Sequence, residues 1–190
     1  MARRREFDTD LAVERAKELF WSNGFHATSM GDLSAGLRLG PGSIYAAFGS
    51  KEGLFEQAMD RYCDEQTGQM LSALEGEDDP RAVLRGILIG LAEMDLETPR
   101  GCLLVNSVAE RDEHTETVER VSKVFRQVES AIAGALERAI ALGRLDSRKD
   151  PVALANFFTT FIQGVRVMGQ ARAGRAVMES AIESALTTLD

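Results

Sequence analysis

Cysteine is scarce in this chain, with only Cys63 and Cys102 among 190 residues, so no disulfide framework can hold it together. Histidine is as scarce: His26 and His114 lie far apart, and no cluster has metal-ligand spacing. Four prolines and few β-branched runs remove the usual obstacles to helix. No apolar run is long enough to span a bilayer and no leader pattern is visible, so a cytoplasmic location is expected. The motifs G-x-S-x-G and H-E-x-x-H and the phosphate-binding glycine loop are also missing. A Cys102 nucleophile with His114 as base is the enzymatic arrangement left, but the two stand twelve residues apart on different helical turns. Catalytic residues, metals and cofactors are therefore all assigned as none.

What the chain does have is hydrophobic content of 44% in patterns of helical period, enough to bury a substantial core. An all-α fold of about nine helices is expected. The net charge of −8 taken alone argues against nucleic acid, but its distribution does not. Residues 1–55 hold seven basic and seven acidic side chains, so the whole excess of acid falls on the remainder. Arg3, Arg4 and Arg5 form a basic arm at the N-terminus.

Asp8 or Thr9 can cap a first helix whose stripe is Leu11, Ala12, Ala16, Leu19 and Phe20, ending near Asn23-Gly24. Ser29 with Asp32 three residues on forms a capping box for a second helix burying Leu33 and Leu37. Gly40-Pro41 starts a third, Pro41 to Phe48, because proline at the first helical position loses no hydrogen bond. Ile44 and Phe48 alone face inward, so this two-turn helix has little core of its own. Ser43 offers a hydroxyl and Tyr45 an aromatic body with a polar tip. Lys51 opens the next helix, where its charge opposes the dipole and a phosphate would resolve the conflict. Thr28 and Ser29 can hold another phosphate in the same way.

The run T-S-M-x-D-L-x-A…G-S-I-Y-A-A-F-G-S-K-E-G-L, preceded by F-W-x-x-G-F, resembles the DNA-binding domain of the TetR family of bacterial transcriptional regulators. The likeness covers about the first 60 residues and implies a helix-turn-helix, used twice in a dimer, whose second helix enters the major groove. Positions similar to the family's base-reading sites hold Pro41, Gly42, Ser43 and Ala47, small groups that favour thymine methyls over bidentate bonds. The chain departs from the common A-G-V-S turn with Leu37-Arg38-Leu39-Gly40, and Arg38 is thereby placed to reach DNA. The resemblance divides the chain into a DNA-binding head, residues 1–52, and an effector-binding and dimerisation domain, residues 53–190.

A single long helix is expected from Lys51 to about Leu74, a lever between the two parts. Asp79-Pro80 and Asp150-Pro151 cap later helices of a bundle. The helix carrying Phe157 to Met168 is apolar around much of its circumference, more than a small domain can bury alone. With the last helix it is expected to form a four-helix dimer contact through Phe158, Ile162, Val165, Gly169, Ile182 and Leu186, as the resemblance also implies. The resemblance further implies a cavity for a small-molecule effector, with candidates Met59, Tyr62, Leu88, Leu91, Met94, Cys102, Asn106, Phe125, Phe157 and Phe161; ordinary core is the competing explanation for each.

Three functions follow for comparison. The leading one is a sequence-specific DNA-binding regulator, a repressor released from a pseudo-palindromic operator by an effector. The second is a redox- or electrophile-sensing regulator acting through Cys102, which is expected in the first turn of a helix just after Arg100-Gly101. The third is a helical interaction protein that binds no DNA, which leaves the arginine arm, Tyr45 and Lys51 without a task.

Overall fold

Asp8 starts α1 (Thr9–Asn23) by accepting hydrogen bonds from the amides of Asp10 at 2.9 Å and Leu11 at 3.1 Å. The computed structural model describes residues 7–76 and 79–190, so the arm Arg3, Arg4 and Arg5 lies outside the described residues. The capping box forms as its spacing predicts: Ser29 Oγ accepts from the Asp32 amide at 3.1 Å, and Asp32 Oδ2 accepts from the Ser29 amide at 2.8 Å. The Ser29 hydroxyl, which donates to Asp32 Oδ2 at 2.6 Å, and after it the Ser29 amide hold the Asp32 carboxyl below its usual range. The box opens α2 (Met30–Leu37), which is followed by α3 (Pro41–Phe48) and α4 (Lys51–Tyr62).

The expected lever is not a uniform α-helix. After Tyr62 the chain makes a π turn (Cys63–Thr67) before resuming as α5 (Gly68–Glu75), with right-handed helical dihedrals at both joints. The two α segments are therefore one rod whose faces change phase midway, a feature that nothing in the local residue pattern announces. The fold is completed by α6 (Pro80–Glu97), α7 (Leu103–Glu110), α8 (Thr115–Ala141), α9 (Pro151–Gln170) and α10 (Arg175–Leu186), with a 3-10 turn (Thr187–Leu189). Asp79 and Asp150 cap α6 and α9 as expected. Every regular element among the described residues is helical, and no helix is long and apolar enough to cross a membrane. Cys102 is the residue before α7 and not part of its first turn, because Gly101 at φ +66 breaks the backbone direction there.

Two apolar cores form. In the first, Phe20, Phe25 and Phe55 meet edge-on or stacked with centroids 4.9 to 6.0 Å apart. They pack among Leu33, Ile44, Leu54 and Met59. This core continues across residues 52 and 53 into Leu103, Leu104, Val121 and Val124, so the head is seated on α7 and α8 as well as on α4. The second core joins α6, α8, α9 and α10 through Leu88, Ile132, Leu136, Phe158, Ile162, Ile182 and Leu186.

Candidate nucleic-acid interface and ligand cavity

α3 is anchored chiefly by Ile44 and Phe48, both buried one turn apart. Pro41, Gly42, Ser43 and Tyr45 are exposed, and Ala47 is half-buried against the core. Tyr45 is 49% exposed, a large aromatic facing solvent beside small neighbours. The turn before α3 is held by Arg38, in the left-handed conformation at φ 57 with its side chain exposed. The Leu39 amide donates to Ser34 O at 3.1 Å, and Ser34 Oγ donates to Leu39 O. Arg38 thus stands where a glycine would be unstrained, in the turn that leads into α3.

Of the other residues expected at phosphates, Ser29 is exposed at the start of α2. Thr28 is not available: it is fully buried, and its hydroxyl donates to Gly24 O at 2.6 Å, closing the loop after α1. Lys51 is half-buried with its ammonium 4.4 Å from the centre of the Phe25 ring, which steadies a long side chain at the α4 N-terminus. The Arg111 guanidinium also lies over this ring, 4.1 Å from its centre. Glu110 accepts from the Phe25 amide at 2.7 Å, so the end of α7 grips the head directly.

Behind the head, a groove of about 550 Å³ runs between α5 and α6, lined by Gln66, Gln69, Met70, Ala73, Ala82, Val83, Gly86, Ile87, Gly90, Leu91 and Met94. No charged side chain is among these, and the volume is that of a site for an organic molecule. Next to it lies an inner chamber of about 50 Å³, sharing Gln66, Met70 and Leu91 and walled by Tyr62, Thr67, Cys102, Leu104, Val128, Ile162, Gln163 and Arg166. Tyr62 donates its hydroxyl to Cys102 Sγ at 3.7 Å. Burial, and next to it the nearby Cys102, raises the Tyr62 phenol well above its usual range, so it stays a donor.

The expected pocket residues divide accordingly. Tyr62, Leu91, Met94 and Cys102 line these cavities. Met59 and Leu88 are core, at 1% and 0% exposure, and Phe125 packs against the first core. Asn106 satisfies its amide on the backbone, donating to Arg100 O at 3.0 Å. Phe157 faces outward at 40% exposure, stacked on half-buried Phe161.

The dimer residues need the opposite correction. Phe158, Ile162, Val165, Ile182 and Leu186 are buried inside the single chain, and a Cβ added at Gly169 would meet the Asp95 Cβ at 2.4 Å, so that close approach is between α9 and α6. The apolar residues that α9 and α10 leave uncovered are Val152, Phe157, Val167, Met168 and Val177. On a helix apolar nearly all round, period alone cannot tell which stripe its own chain covers.

Residue reading also missed Arg166, Asp95, Gln163 and Trp21. Arg166 is 2% exposed and is the lone charged residue of α9, a signal that was available. Its Nε lies 3.2 Å from Asp95 Oδ2, and burial raises the Asp95 carboxyl while Arg166 opposes the rise.

A short helix presented outward from a capped three-helix head, above a bundle with an apolar groove, defines a helix-turn-helix DNA-binding regulator. The chain belongs to the TetR family of bacterial regulatory proteins: residues 12–58 match that family's N-terminal domain, and residues 70–185 match the tetracyclin repressor-like C-terminal domain. It is 30% identical over 191 residues to the HTH-type transcriptional repressor ComR of Escherichia coli (strain K12), spanning 98% of this chain and 90% of that protein. An uncharacterized HTH-type transcriptional regulator of Bacillus subtilis (strain 168), YezE, is 28% identical over the full length of both. Among solved structures, a cysteine mutant of the TetR-family regulator CifR, complexed with a 26 bp operator duplex, is similar at TM-score 0.88 and 30% identity over 100% of both chains. The family consists of transcriptional regulators and not of enzymes as a class.

Proposed function

We propose that the chain acts as a homodimeric repressor whose two α3 helices enter successive major grooves of a pseudo-palindromic operator, and that a small molecule in the cavity behind the head releases it. The exposure of α3 carries this proposal: Pro41, Gly42, Ser43 and Tyr45 project outward while Ile44 and Phe48 pin the helix. Residues 1–52 serve as the head and residues 53–190 as the sensing and dimerising part. In this arrangement Ser29, Arg38, Tyr45 and Lys51 position the backbone, Arg3 to Arg5 add charge, and Pro41, Gly42, Ser43 and Ala47 meet base edges. The uncharged groove between α5 and α6 favours a neutral, largely apolar effector body, with polar contacts reserved for the inner chamber. No catalytic role is proposed.

Titration of DNA from upstream of the protein's own gene tests the reading, with salt as the variable. Affinity is expected to fall steeply with salt and to include a tight site above the non-specific background. Lys51→Ala is expected to weaken binding to all sequences alike and to flatten the salt slope by about one contact per subunit. Unchanged affinity and slope would remove Lys51 from the phosphate contacts.

A second mode of release acts through Cys102, favoured by its place in the inner chamber under the Tyr62 hydroxyl. An oxidant or electrophile that frees DNA from the parent protein is then expected to leave Cys102→Ser bound; release from both would set this mode aside.

A further inference from the structure

Arg166, we propose, is the positioning residue that couples the inner chamber to the DNA-binding head, by holding the same carbonyl oxygen that Trp21 holds. The proposal rests on the regulator reading above and adds a second route beside the α4–α5 rod. Arg166 borders the chamber from α9, and its guanidinium donates to Gly101 O. Trp21 of α1 donates its indole N–H to that oxygen at 2.9 Å. A carbonyl has two lone pairs, and here one serves the chamber wall and the other the head.

The peptide between them is held on every side. Asp95, the partner of Arg166, accepts from the Gly101 amide at 3.2 Å, so one ion pair grips both ends of this residue. Gly101 stands at φ +66, and a Cβ there would lie 2.8 Å from Gln170 Oε1. Arg100 next door stacks 3.8 Å from the centre of the Trp21 ring and bonds Glu18 of α1 at 2.6 Å. A shift of the Gly101 carbonyl is therefore a shift of α1, and α1 packs directly on α2 and α4.

The chamber has the means to cause such a shift. Gln163 Oε1 is buried without a hydrogen-bond partner, and Gln163 lines the chamber together with Arg166, so an occupant with a donor for Gln163 and an acceptor for the guanidinium draws on both side chains. A guanidinium that turns toward the occupant loosens its hold on Gly101 O, and Trp21 loses the shared anchor.

Coupling is reciprocal, so DNA on the head must alter access to the chamber. The test uses full-length Cys63→Ser protein, in which methyl methanethiosulfonate can label Cys102 alone: the thiolate takes the thiomethyl group as a mixed disulfide and methanesulfinate leaves. Saturating DNA from upstream of the protein's own gene is expected to change the labelling rate by about fivefold or more. In Asp95→Asn/Arg166→Met, which removes both buried charges together, that response is expected to disappear. Trp21→Phe cuts the same link from the head side with little change of shape, is expected to lose the response too, and decides alone if the double variant does not fold. Labelling indifferent to DNA in the Cys63→Ser protein, or equally responsive in the relay variants, overturns the relay. Failure to bind any DNA overturns the regulator reading instead.

Discussion

Arg38 shows how one residue can carry opposing demands. At φ 57 it sits in the left-handed region that glycine occupies at no steric cost, and its side chain is exposed beside α3. Arg38→Gly is expected to stabilise the fold by up to about 1 kcal/mol in urea titration while weakening DNA binding and its salt slope. A gain in stability without loss of affinity would make Arg38 a tolerated strain and no contact. Cys63 illustrates the opposite, a reactive group made inert: burial, with Asp60 adding to it, pushes its thiol up to about 11. Because the thiolate is the nucleophile, labelling of Cys63 in a Cys102→Ser background is expected to be slow at neutral pH and to rise about tenfold per pH unit toward that value. A rate already level at pH 8 would contradict the burial.

At the scale of elements, caps and faces behave differently. The capping box at Ser29 and the Asp-Pro caps at Asp79 and Asp150 form as their spacing dictates, since each is settled within one turn of backbone. The face of α9 is settled by its neighbours. Its inward stripe is Ala155, Phe158, Ile162, Val165, Arg166 and Gly169, while Phe157 and Met168, like Val177 of α10, are left exposed. Phe157→Glu is therefore expected to shift the protein toward monomer in sedimentation with the helical spectrum retained. Ile182→Ala, at 0% exposure, is expected instead to cost about 2–5 kcal/mol of stability. The reverse pair of outcomes would restore the stripe expected from period. The π turn belongs to this scale too, since it changes the phase of the rod between head and groove. Glu65 within it pairs with buried Lys17 of α1, so the change of phase is tied to the head.

At the scale of the molecule, the first of the two cores runs from the head into α7 and α8, and the charge is split between a neutral head and an acidic remainder. The head reaches the bundle by three separate contacts: the α4–α5 rod, the Glu110 and Arg111 grip on the loop at Phe25, and the Trp21–Gly101–Arg166 junction. A dimer contact that buries the α9 and α10 faces makes stability depend on concentration. The melting temperature is expected to rise with protein concentration in the parent and to be flat in Phe157→Glu, by scanning calorimetry over a broad dilution range. An equally flat profile in the parent would mean that the face closes no dimer in the range studied.

The head was legible from residues alone because its signals are local: a capping box, a proline at a helix start, two anchors four residues apart and a run resembling the TetR motif. By themselves they determined the helices, the outward α3 and the class of regulator. Only the tertiary structure decided that the Thr28 hydroxyl faces inward, that Phe157 and not Phe158 faces outward, and that Arg166 and Trp21 meet at one oxygen. Contacts between residues 65 or 80 positions apart depend on which helices pack together, and helical period records only that a face is apolar, never which neighbour covers it.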